Sequence, residues 1–310
     1  MDPYKEIVED NDSDDINSTF KDDTSFSVTF HNGYGFRSLI EYTKSINKEC
    51  EMIFDGDGIR FSKSDSNGKI MVDVIIASEE LVYYNFSSSL EEYIVSFPLD
   101  TLEKNVKQVT KKKSLRLFKN AGSDDIYMQH LSSYNQITRD QKVIPTLKYA
   151  QTKITAPPPS EYYITDHIIA IPINTFSFLC KECCTCQYDG VNVYISKKLV
   201  RIEGKNTKKP PNLDEKKPIV RRYYDYENSN KNLSPVEIEK LDNEGMYSIY
   251  IPIIRIKSFS KLSIASENGV IKFYRPTDDI IKISKEKDKV VPIKMMCNLS
   301  NYGLAYIYIS

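Results

Sequence analysis

Four cysteines within seven residues, Cys180, Cys183, Cys184 and Cys186 in the run CKECCTC, are the side chains best suited to reactive chemistry. Four thiolates can hold a zinc ion tetrahedrally. The spacing argues against a site here, because the run enters a segment, 183–188, whose pattern predicts a strand. Adjacent side chains of a strand point to opposite faces, and no separate second CxxC is available. No metal is expected. His31, His130 and His167 are scattered, with no nucleophile or carboxylate at motif spacing. Gly33 and Gly35 in HNGYG lack the other glycine and lysine positions of a phosphate loop. The 22 tyrosines, in a chain without tryptophan, fall mostly at alternating strand positions such as Tyr306 and Tyr308, which suits packing better than base stacking. Neither an enzyme nor a cofactor is expected.

Lysine is the residue whose distribution carries information. The chain has 42 Lys and Arg against 43 Asp and Glu, for a net charge of −1. Residues 1–24 alone hold nine acids and two bases, net −7, so the remainder carries +6. Four segments with helical periodicity concentrate that charge: 35–48 at +2, 99–113 at +3, 172–182 at 0 and 252–262 at +3. Residues 104–113 contain five lysines and no acid. A helix face built only for solvation interleaves acids for i,i+4 pairing; a face that meets phosphates does not need them.

The elements that must position these lysines repeat. At 310 residues the chain is long enough for two domains, and no apolar run approaches the roughly 18 residues that span a membrane. Residues 1–24 read as a disordered acidic tail. Residues 150–165, with three consecutive prolines at 157–159, read as an extended interdomain connector. Residues 205–232 read as an exposed polar loop. Domain one, 25–149, has strands at 26–30, 50–54, 59–63, 70–77, 81–86, 114–118 and 125–131, with helices at 35–48 and 99 to about 110. The Asp55-Gly56-Asp57-Gly58 turn joins two of the strands, its glycines supplying positive φ. Domain two, 166–310, has strands at 167–171, 183–188, 191–196, 270–274, 291–299 and 304–309. Its helices run over 172–180 and from 252 to about 262, and Asp189-Gly190 is placed as the matching turn. An apolar-Pro-apolar helix start, Phe97-Pro98-Leu99 and Ile251-Pro252-Ile253, occurs in both. The expected class is α+β, two copies of one β-rich domain with two helices each.

This arrangement resembles the PCNA family of sliding clamps over roughly 25–310. The resemblance is carried by 36–61 (FRSLIEYTKSINKECEMIFDGDGIRF), Ser64-Asp65-Ser66, 98–118, Tyr188-Asp189-Gly190-Val191 and the end at 302–309. The chain looks like a divergent clamp of the sort carried by large DNA viruses. The family implies a head-to-tail homotrimer whose helices line a channel around duplex DNA, with no sequence preference, and a rim that tethers a DNA polymerase and other clients, with a clamp loader among its partners. Such a protein works inside the cell, in the nucleus or at a cytoplasmic viral replication site. By that resemblance Arg37, Lys44, Lys48, Lys104, Lys107, Lys111, Lys181, Arg255, Lys257 and Lys261 face DNA, with Lys112 and Lys113 at the end of their helix. Ser64, Met71, Ile154, Pro157, Tyr308 and Ile309 line the client groove. Leu147 and Tyr149, in an edge strand over 143–149, meet Leu199 and Arg201, in an edge strand over 199–204, across the subunit interface.

Three departures from the family pattern are expected to matter. The helix at 172–180 is short and uncharged overall, Pro145 interrupts the expected edge strand, and Ser310 is followed by no tail over the groove. They support an alternative function: a clamp-fold transcription-factor subunit, or a hetero-oligomer component, that forms no homotrimeric ring.

Overall fold

A computed structural model describes residues 24–87, 91–110, 113–132, 137–147, 156–166, 168–205, 219–225, 233–243, 245–266, 269–287, 289–299 and 303–310. The acidic stretch 1–23 and residues 206–218 lie outside them. The first half runs β1 (Thr24–Phe30), α1 (Gly33–Lys44), β2 (Glu49–Asp55), β3 (Gly58–Ser64), β4 (Ile70–Ala77), β5 (Tyr83–Phe86), β6 (Glu92–Pro98), α2 (Leu99–Val106), β7 (Ser114–Asn120), β8 (Ile126–Leu131) and β9 (Ile137–Ile144). The second runs β10 (Ile169–Pro172), α3 (Ile173–Thr185), β11 (Gly190–Ile195), β12 (Leu199–Lys205), β13 (Val220–Tyr224), α4 (Pro235–Asn243), β14 (Tyr247–Pro252), α5 (Ile253–Phe259), α6 (Leu262–Ala265), β15 (Val270–Tyr274), α7 (Asp278–Glu286), β16 (Ile293–Asn298) and β17 (Leu304–Ile309).

The strands form three antiparallel sheets, ordered β5-β1-β7-β8-β9, β10-β15-β16-β17-β4-β3-β2-β6 and β13-β12-β11-β14. The eight-stranded sheet crosses from one half to the other where β17 pairs β4, from Leu304 opposite Ile75 to Ile309 opposite Ile70. An eight-residue helix such as α2 is not stable alone. Its stripe of Leu99, Leu102, Val106 and, just beyond, Val109 is wholly buried, and each such side chain contributes about 1.5–3 kcal/mol. Aromatic pairs close the core beneath the helices: Phe26 on Phe54 at 4.2 Å and Phe30 on Phe36 at 4.4 Å between centroids.

Three helices follow directly on a proline that ends a strand. Pro98, Pro172 and Pro252 each end a strand and cap the helix that follows, with extended ψ. They stand one position before the first helical residue, so the missing N–H ends the ladder as it opens the helix. At the β2–β3 turn only Gly58 has positive φ, +141°, and a Cβ there would lie 2.2 Å from the Ile76 carbonyl oxygen. A Cβ at Gly56 meets nothing. Gly58→Ala is therefore expected to cost about 1–3 kcal/mol in urea unfolding, and Gly56→Ala less than about 0.5 kcal/mol.

Several expected elements are corrected. α1 ends at Lys44, leaving Lys48 exposed in the link to β2. α3 is the longest helix among the described residues and takes in Cys183 and Cys184, with Cys186 as its C-cap. There is no strand over 183–188, and Asp189-Gly190 joins a helix to β11; the counterpart of the Gly58 turn is Ser196–Lys198 between β11 and β12. The stretch 205–232 contains β13. Strands β6 and β14 and helices α4 and α7 are not among the elements expected from the sequence.

Candidate nucleic-acid interface

The helices touch in an unbroken series, α2 on α1, α1 on α6, α6 on α3 and α3 on α5. Each buries one side on a sheet: Phe36, Leu39 and Ile40 from α1, Leu99, Leu102 and Val106 from α2, Phe176, Leu179, Cys180 and Cys183 from α3, and Ile256 and Phe259 from α5. Their other sides make one solvent-facing row. Lys104, Lys107, Lys181, Lys257 and Lys261 stand exposed on it, and none makes an ion pair with a described residue.

Three of the other bases expected there, Arg37, Lys44 and Arg255, are committed elsewhere, while Lys48 is exposed in the link after α1. Arg37 Nε lies 2.8 Å from Glu41, and its Nη1 donates to the Lys107 carbonyl at 2.9 Å, closing the C-terminal end of α2. Lys44 Nζ sits 2.6 Å from Asp100 and 2.5 Å from Glu103. Hydrogen bonds to those two carboxylates hold its ammonium above its ordinary range, and Lys44 in turn holds the Asp100 carboxyl below its own. Arg255 pairs with Asp65, whose side chain is wholly buried. Lys113 is half-buried beyond α2, its carbonyl accepting from Gly33, and Lys111 and Lys112 lie outside the described residues. The positive charge is therefore free mainly on α2 and on the second half.

On the opposite side of the eight-stranded sheet, Ser64, Met71, Ala156, Pro158, Val290, Pro292 and Tyr308 line a groove of about 220 Å³. Met71 and Tyr308 of its lining pack in one buried cluster with Tyr163, Tyr274 and Met296. Burial pushes the Tyr308 hydroxyl up to about 12.

No protein-family model and no curated sequence matches the chain. Solved structures do. The proliferating cellular nuclear antigen of Entamoeba histolytica superposes with a TM-score of 0.65 at 13% identity, over 93% of this chain and 98% of that one. The PCNA2–PCNA3 complex of Sulfolobus tokodaii gives 0.64 at 15% identity, over 92% and 98%.

The chain has a PCNA-like clamp fold. Within it, β9 and β13 are each one edge of their sheets, with β5 and β14 at the far edges, and β12 is not an edge, which corrects the interface residues expected from sequence. β12 is interior, bonded to β11 and β13. Leu199 on it is fully buried, and Arg201 is spent on Asp242 at 3.3 Å and on the Tyr194 ring at 4.1 Å. Leu147 bridges to Ser96 of its own chain, and Tyr149 lies outside the described residues. The edge strand ends at Ile144, so Pro145 follows it and removes no ladder bond. β13 is held by Arg221 on Glu182 and Arg222 on Asp242. Burial alone would raise the Asp242 carboxyl, but its two arginines outweigh that and hold it below the usual range.

The groove lining implied by the resemblance is corrected likewise. Ile309 alternates with Tyr308 along β17 and faces the interior, against Phe176, Ile256 and Ile293. Pro157 adjoins the lining residue Pro158, and Ile154 lies outside the described residues. The cysteines gain no reactivity from the helix: burial raises the Cys180 and Cys184 thiols and pushes Cys183 up to about 11, so they stay protonated. No group of three or more His, Cys, Asp or Glu is placed to hold a metal among the described residues. His31 is exposed, His130 is buried, and His167 lies outside the described residues.

Proposed function

We propose that this chain is a sliding clamp, a non-enzymatic ring that encircles duplex DNA and tethers replication or repair proteins to it. The observation that carries this reading is the row of five exposed, unpaired lysines along touching helices, in a clamp fold. Ammonium groups without acidic neighbours attract phosphates by counterion release, with no base reading, so the protein moves along any sequence. The groove beside Met71 and Tyr308 offers apolar pockets to the anchors of client peptides, a polymerase among them. Edges β9 and β13 lie on different sheets, and a head-to-tail closed ring, most simply a homotrimer, uses both. Such a ring, opened by a loader, works wherever that DNA is copied, in the nucleus or at a cytoplasmic viral replication site.

The deciding experiment measures retention on primed circular DNA and the salt dependence of duplex binding. Lys181→Glu, Lys257→Glu and Lys261→Glu together are expected to abolish retention and to flatten the log-affinity against log-salt slope by about 0.9 for each lysine lost. Lys44→Ala is expected to change the slope far less, because Asp100 and Glu103 already occupy that charge. A triple variant retained like the wild type sinks the reading.

A second reading, a hetero-oligomer or transcription-factor subunit, is favoured by one observation. β9 carries Arg139 and Lys142, whereas β13 carries no acid of its own and its Arg221 and Arg222 are taken up by Glu182 and Asp242, so β13 offers no free opposite charge to β9. A partner with an acidic edge would complement β9 better than a second copy. Absence of self-association at micromolar concentration, with specific capture of such a partner, would favour it.

A further inference from the structure

One exposed stripe of α3 consists of Asn174, Phe178, Lys181 and Thr185, spaced four, three and four apart and therefore stacked on one helix face. Phe178 is 66% exposed, and Ile254 on neighbouring α5 is 71% exposed beside Lys257 and Lys261. Phosphates alone give a phenyl ring nothing to bind, so a surface made only for a duplex backbone does not account for Phe178. Its surroundings are defined. Ser177 Oγ donates to the Ser260 carbonyl at 2.5 Å, and Ser263 Oγ donates to Ser177 Oγ at 3.1 Å, which sets Phe178 beside the C-terminal end of α5, where Lys261 follows. The nearest acid on α3, Glu182, is occupied by Arg221.

We infer that the α3–α5 face accepts unpaired nucleic-acid bases, Phe178 stacking on a base while Lys181, Lys257 and Lys261 hold the flanking phosphates. The inference rests on the reading of the lysine row as a DNA surface and adds its ligand: the single strand next to a duplex end or gap. An aromatic face among free ammonium groups is the arrangement that holds single strands without sequence preference, since every base has a π face. Charge selects the occupant. Three lysines with no free acid on α3 or α5 suit an anionic chain, and an apolar protein helix would leave them unpaired.

The test is fluorescence anisotropy of the full chain with a labelled oligothymidine and with a blunt duplex of equal length. Phe178→Ala, on an exposed side chain, is expected to weaken oligothymidine binding about tenfold and to change duplex binding by less than about twofold, whereas Phe178→Tyr restores the single-strand affinity. The inference is overturned if Phe178→Ala leaves single-strand binding intact, weakens both probes equally, or instead alters the mass measured by light scattering, which would make Phe178 a protein contact. Wild-type protein that binds neither probe would overturn the DNA reading itself, an outcome distinct from these.

Discussion

Arg255→Ala is expected to lower the unfolding free energy by about 3 kcal/mol, the largest loss for any charged residue of the helical row. Asp65 has a side chain with 0% exposure. Its Oδ1 accepts from the Lys69 and Ile70 amides at 2.7 and 2.9 Å, shaping the β3–β4 turn. Its Oδ2 meets the Arg255 guanidinium, delivered by α5 from the other half of the molecule. Removing the guanidinium strands a carboxylate out of water, and the partial exposure of Arg255, 20%, keeps the cost at the lower end of the range for broken buried pairs. Asp65→Asn in the Arg255→Ala background is expected to recover much of the loss, because a neutral amide oxygen can still accept from the turn. Urea midpoints at neutral pH measure this, with Lys257→Ala as a control that shifts stability by less than about 0.5 kcal/mol. If Arg255→Ala behaves like that control, Arg255 is a free base after all, as the sequence implied.

A second large effect is expected at β13. The Gly204 amide donates to the Ile219 carbonyl, and the Asp225 amide to the Lys198 carbonyl. With a period of two, Ile219, Arg221, Tyr223 and Asp225 face β12, so the amides of Val220, Arg222 and Tyr224 point to the open edge. Val220→Pro together with Tyr224→Pro removes two outward donors and no internal ladder bond. Light scattering during gel filtration is expected to fall from three chains of 35.8 kDa, about 107 kDa, to one, with the unfolding midpoint little changed. A variant that still assembles would show that the ring is not closed through this edge.

What the sequence made legible was local. The stripe of α2, the turn at Gly58 and the helices that follow a proline each rest on neighbours within a few residues. Other local signals were present and went unread. Cys180, Cys183 and Cys184 stand at i, i+3 and i+4, a helical spacing that the structure uses, and the strand reading lost it. Ser234 and Glu237 form a capping box, with the Ser234 amide donating to Glu237 at 2.8 Å, and Thr277 caps α7, a helix without a buried residue. β13 reads as polar because each of its arginines is matched by an acid from a distant helix. That is the general reason for the errors at the site as well. Nothing near Lys44 in sequence announces Asp100 and Glu103, and nothing near Arg255 announces Asp65. Counting bases on a helix therefore overstated the free charge of the first half.

The pairing of β17 with β4 decides where this molecule is stiff. Because one ladder runs unbroken through eight strands, with the Asp65–Arg255 pair clasped across the same junction, bending between the halves would have to tear backbone hydrogen bonds from the middle of a sheet. A ring built from such plates has no hinge inside a subunit. To admit DNA it must part at a seam between subunits, where only the short strand β13 and its neighbour's β9 would have to separate. A cross-link placed across that seam would trap DNA inside or outside, whereas one placed across the β17–β4 junction would leave passage unaffected.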